Sequence, residues 1–99
     1  MWQKSLKESE IQEGQGKVVV LNAKEIALFK HEGKIYALAN ICPHRGGPLG
    51  EGSLDGGEVV CPWHAWSFDV KTGKCQTLPE VTQPVFEVKI DGEDVLVNV

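Results

Sequence analysis

Ile41-Cys42-Pro43-His44-Arg45-Gly46-Gly47-Pro48-Leu49 and, further on, Val60-Cys61-Pro62-Trp63-His64-Ala65-Trp66-Ser67-Phe68 are two segments that each bring one thiol and one imidazole close together. A proline follows each cysteine, fixing a backbone torsion and removing an amide hydrogen. Gly46 and Gly47 permit positive torsions and close approach of backbone to a bound group. The whole stretch is rich in Gly and Pro, which predicts a loop-built lobe over about residues 40–69. Loops of this length inside a small domain are usually functional. Two such loops, each offering a thiolate and an imidazole, can clamp a bulky inorganic core.

Outward from that stretch the texture changes. Short runs rich in Val, Ile and Leu alternate with Gly-bearing turns, the habit of an all-β domain. Lys17-Val18-Val19-Val20-Leu21 follows Gly14-Gln15-Gly16. The runs 25–30 and 34–38 flank His31-Glu32-Gly33, and the runs 85–90 and 95–99 flank Asp91-Gly92-Glu93-Asp94, two predicted hairpins. Within 85–90, Phe86, Val88 and Ile90 alternate with Glu87 and Lys89, which predicts one strand with one buried face. The opening stretch 5–13 is equally readable as an irregular edge or a short helical turn. The expectation is a small antiparallel β-sandwich or barrel carrying the lobe.

The 99 residues are enough for one domain, expected to span 1–99. Such a chain buries little more than ~60% of its unfolded surface, so a bound metal centre adds useful cross-linking. A net charge of -4 with scattered basic residues excludes the concentrated positive face that nucleic acid demands. The longest apolar runs, Val18 to Leu21 and Ile26 to Phe29, fall far short of the ~20 residues of a membrane helix. The start of the chain carries no secretory pattern, so a cytoplasmic location is expected. Cys42, Cys61 and Cys75 cannot all pair among themselves, and a disulfide framework does not suit a reducing compartment. Zinc is the bland rival for two Cys and two His, but finger spacings pair Cys with Cys and His with His, whereas each segment here mixes them.

The Cys-x-His and Cys-x-x-His pair, in the contexts Cys-Pro-His-Arg-Gly-Gly-Pro-Leu and Cys-Pro-Trp-His-Ala-Trp, resembles the Rieske proteins and especially the Rieske ferredoxins. The resemblance implies one 2Fe-2S cluster, with Cys42 and Cys61 on one iron and His44 and His64 on the other. In that arrangement two thiolates cancel the charge left by two ferric ions and two sulfides, so an electron enters a neutral site. That is why Rieske potentials lie at roughly -150 to +300 mV, against about -400 mV for all-cysteine plant-type clusters. High-potential relatives carry two further cysteines, forming an inter-loop disulfide, and a serine and a tyrosine whose hydroxyls bond sulfur. Here those places hold Gly47, Trp63, Trp66 and Phe68, so a potential near the low end is expected.

By the same resemblance the chain is a one-electron carrier rather than an enzyme. It passes electrons from a flavin-containing reductase to a terminal oxygenase, both separate chains, and is expected to be a monomer. The alternative is a Rieske-like small subunit of an enzyme such as assimilatory nitrite reductase. Trp63 and Trp66 are expected to shield the cluster, Arg45 to lie near a partner or in a local salt bridge, Cys75 to be small and partly buried, and His31 to be solvated.

Overall fold

The apolar run Ile26-Ala27-Leu28-Phe29 is uninterrupted because its strand is buried on both faces. The structure is a computed structural model and describes residues 1–41, 48–62, 66–78 and 80–99. The run lies in β3 (Lys24–His31), paired on one side with β2 (Gly16–Leu21) and on the other with β4 (Lys34–Ala39), which in turn pairs with β8 (Val85–Phe86). Ile26 and Leu28 point into one core with Ile11, Leu21, Ile35, Ala37, Val95 and Val97. Ala27 and Phe29 point into the other with Leu38, Leu49, Val59, Cys61, Phe68, Val70 and Cys75. The four-stranded sheet is therefore a middle layer.

One outer layer is β1 (Trp2–Lys7), β10 (Asp94–Asn98) and β9 (Val88–Asp91), in that order. The other is β5 (Ser53–Asp55), β6 (Glu58–Val60) and β7 (Ser67–Asp69), also antiparallel. The three strands of this second layer fall inside the Gly- and Pro-rich stretch. Among the described residues there is no α-helix, only 3-10 turns at Glu8–Glu10 and Leu49–Glu51. Among the described residues no helix is long and apolar enough to cross a membrane.

Tight turns set the register. His31 pairs with Lys34, and the two residues between them, Glu32 at φ 52 and Gly33 at φ 77, are both left-handed, as a two-residue hairpin of matching twist requires. Leu21 and Lys24 close the same way over Asn22 and Ala23, with Ala23 held at φ 62. Asparagine tolerates that region, whereas alanine is strained there.

One open reading is resolved and one expectation changes. The open stretch near the start is strand β1 followed by a 3-10 turn, with Ile11 beyond it in the core. The run 85–90 is not one strand but two. It breaks at Glu87, whose carbonyl accepts the Asn98 N–H at 2.9 Å, so that β8 continues the middle sheet while β9 joins the outer one. The expected buried face does not close over. Ile90 stays 43% exposed, and Phe86, Val88 and Ile90 line an open groove of about 350 Å3 with Ile35 and Tyr36.

Candidate metal centre

The described residues define the stems that flank both cysteine-histidine segments. The first stem is closed by an antiparallel bridge between Ile41 and Pro48, and the Leu49 N–H donates to the Asn40 carbonyl at 2.8 Å. The second is closed by the Cys61 N–H donating to the Trp66 carbonyl at 2.7 Å, between the end of β6 and the start of β7. The stems are neighbours. The chain leaving the first runs through the 3-10 turn into β5, which pairs with β6 so that Ser53 faces Val60. A Cβ on Gly52 would collide with the Val60 carbonyl, so only glycine allows this approach.

Cys61 is 1% exposed and shares its core with Leu49, Val59 and Phe68, while Trp66 packs half-buried against the same core. A thiolate in such surroundings is costly unless a cation compensates it. Phe68, in the place where high-potential relatives have a hydroxyl, is fully buried and has none to offer. Cys42, His44, Arg45, Gly46, Gly47, Trp63 and His64 lie outside the described residues. Among the described residues no three His, Cys, Asp or Glu side chains gather as a metal-binding group.

Two residues that the sequence reading did not single out belong to these stems. Asn40 and Gln83 are the buried polar side chains among the described residues. The Asn40 Oδ1 accepts the Gly50 N–H at 2.8 Å, and its Nδ2 donates to Glu25 at 3.1 Å. The Gln83 Nε2 donates to the carbonyls of Ala39 at 2.6 Å and Ile41 at 2.7 Å. Neither follows a hydrophobic period, and for Gln83 the partners are more than forty residues away, so no local signal reveals them.

Two expectations about single residues are corrected. Cys75 is fully rather than partly buried, and its sulfur accepts the Leu78 N–H at 3.3 Å. His31 is not solvated: its side chain is 18% exposed, sits 3.3 Å from the Glu32 carboxylate and lies so close to Gly57 that a Cβ there would touch Nε2. Nearby, the N–H groups of Gly33 and Glu32 both donate to the Glu13 carboxylate, holding it below the usual carboxylate range, with His31 and Lys30 adding in the same direction.

Residues 1–97 match the family model of the Rieske 2Fe-2S domain. The chain belongs to the Rieske 2Fe-2S domain family. Among Rieske relatives, the ferredoxin component of the naphthalene 1,2-dioxygenase system of Pseudomonas aeruginosa is 42% identical over 91 residues, covering 90% of this chain and 86% of the relative. A solved complex of reduced oxygenase and oxidized ferredoxin in carbazole 1,9a-dioxygenase contains a chain that superposes with a TM-score of 0.87 at 32% identity, over 97% of this chain and 91% of that one. A Mycobacterium tuberculosis protein assigned as the small subunit of an NADH-dependent nitrite reductase superposes with a TM-score of 0.89 at 25% identity, covering 100% and 96%. These likenesses agree with the antiparallel, all-β layers described above, and the Rieske domain carries a 2Fe-2S cluster.

Proposed function

We propose that Cys42, His44, Cys61 and His64 hold the cluster and that this chain, a single domain over residues 1–99 with a cluster lobe at about 40–69, carries single electrons from a flavin-containing reductase to a terminal oxygenase. The observation that supports the reading is the adjacency of the two stems, Ile41 to Pro48 and Cys61 to Trp66, which flank the two cysteine-histidine segments. When bound, the cluster supplies a one-electron couple. The protein's part is to bury the Cys61 sulfur, to exclude water with Trp66 and Phe68, and to keep both segments in register. The acting form is a monomer in a reducing, cytoplasmic setting.

The experiment is analysis of purified protein for iron and acid-labile sulfide, followed by electron paramagnetic resonance after dithionite. Equal iron and sulfide, with the low average g value of mixed nitrogen and sulfur ligation, is the expected result. A colourless protein holding zinc overturns the reading. The imidazole nitrogens not bound to iron lose protons more readily in the oxidised state, so the potential should fall from about pH 7 to about pH 11. A flat profile contradicts His44 and His64 as ligands. The second reading, an enzyme's small subunit, is favoured by the likeness to the nitrite reductase protein. Stable co-elution with a much larger chain supports it, and a monomer on size exclusion supports the carrier.

A further inference from the structure

We infer that Gln83 is a positioning residue for the cluster, a strut that sets the spacing between the two ligand-bearing segments, with Asn40 holding the far side of the first. The inference rests on the ligand reading above and goes beyond it to residues that touch no iron.

The middle sheet explains why a strut is needed. The β4–β8 ladder pairs Ala37 with Phe86 and Leu38 with Val85, and the Ala39 N–H still reaches the Pro84 carbonyl at 2.9 Å. Beyond that the main chains stop pairing, just where the first segment begins. The Gln83 side chain continues the ladder, placing both hydrogens of one amide nitrogen on the carbonyls of Ala39 and Ile41. Ile41 is the residue before Cys42.

At its other end Gln83 is linked through residues 73–75 to the strand that follows the second segment. Its N–H donates to the Gly73 carbonyl at 2.6 Å, Thr82 forms a bridge with Lys74, and Cys75 forms one with Phe68 of β7, the strand that leaves the second stem. Gly73, at φ 77, is pressed so close to the Gln83 carbonyl that any Cβ would collide with it. A continuous path of hydrogen bonds and bridges thus runs from β7, through 73–75 and 82–83, to Ile41. Asn40 completes the frame: its side chain ties Gly50, past the exit of the first segment, to Glu25 at the start of β3.

Buried amides are tolerated only where their hydrogen bonds are made. Here they are made to the stems, in a site where metal-ligand bonds of fixed length must be met from two loops at once. Removing the strut leaves the fold's two apolar cores intact but lets the first stem move relative to the second.

The test compares holoproteins. Gln83→Met keeps the length and bulk of the side chain and deletes both donors. Gln83→Asn keeps the donor on a shorter arm that cannot span both carbonyls. Gln76→Met makes the same chemical change at an exposed amide with a single 3.3 Å bond, and Val95→Ala weakens the other core. Cluster loss to an iron chelator should be about tenfold faster in Gln83→Met and intermediate in Gln83→Asn, with shifted g values in the reduced protein, whereas both controls stay within about twofold of wild type and keep its g values. Wild-type rates and g values in both Gln83 variants would overturn the inference, as would an equal effect in Val95→Ala. Wild-type protein without the mixed-ligation signal would instead overturn the ligand reading beneath it.

Discussion

The core shared with β1, β9 and β10 packs Ile11, Leu21, Ile26, Leu28, Ile35, Ala37, Val95 and Val97, all aliphatic, between strands of four to eight residues in near-continuous register. The core beside the two stems packs two cysteines and two phenylalanines, beneath an outer layer whose strands are three residues long. Hydrophobic burial suffices to define the first, since long ladders bring their side chains together in only one register. The second layer is too short for that. It leans on close-approach glycines, on the amides of Asn40 and Gln83, and on whatever the cysteines and histidines bind. If the proposed cluster binds between the stems, the aliphatic side should fold without it while the other side should depend on it.

Cys61→Ser is the strongest way to break that contrast. It should reduce bound iron to background, and hydrogen exchange should then show lost protection in β5 to β7 while amides of β9 and β10 stay protected. Uniform loss of protection would mean that the two cores form one cooperative unit. Next comes a matched pair. Phe68→Ala should cost about 3–5 kcal/mol and Ile26→Ala about 2–5 kcal/mol in urea unfolding of the holoprotein, but only the first should speed cluster release. A Phe68→Tyr change, which places a hydroxyl near Cys61, should raise the potential if it hydrogen-bonds sulfur, as read by redox titration.

Weaker effects are expected at the turns. Glu13, on the His31–Lys34 hairpin, has a folded-state affinity for protons below its unfolded one. The unfolded chain therefore binds the proton first as pH falls, and the stabilisation, fully present above the ordinary carboxylate range, is lost as pH drops through the depressed folded value. Glu13→Gln should accordingly flatten the acid limb of the stability profile and leave the alkaline limb unchanged, measured by thermal unfolding across pH. The smallest effect is expected at Ala23. The left-handed conformation costs an L-residue roughly 1–2 kcal/mol, and the extra flexibility of glycine recovers roughly 0.5–1 of it, so Ala23→Gly should stabilise by about 0.5 kcal/mol.

Much of this was legible in the residues because it is local chemistry. The turn at Glu32-Gly33 and the all-β class follow from side-chain pattern and torsional preference, which act over a few positions. The nature of the metal site is equally local, since thiol and imidazole types at two short spacings restrict what can bind. The break at Glu87 was not legible, because an alternating pattern cannot show that Phe86 and Val88 pair with different sheets.

The same division holds for the protein as a whole. Its family and its strand-rich character are properties of neighbouring residues and stand in the sequence by itself. The meeting of the two stems, the full burial of Cys75 and the reach of Gln83 to Ala39 and Ile41 were decided only in three dimensions. The physical reason is that a buried hydrogen bond is specified by whichever groups the fold brings within reach, and chain order places no limit on which those are.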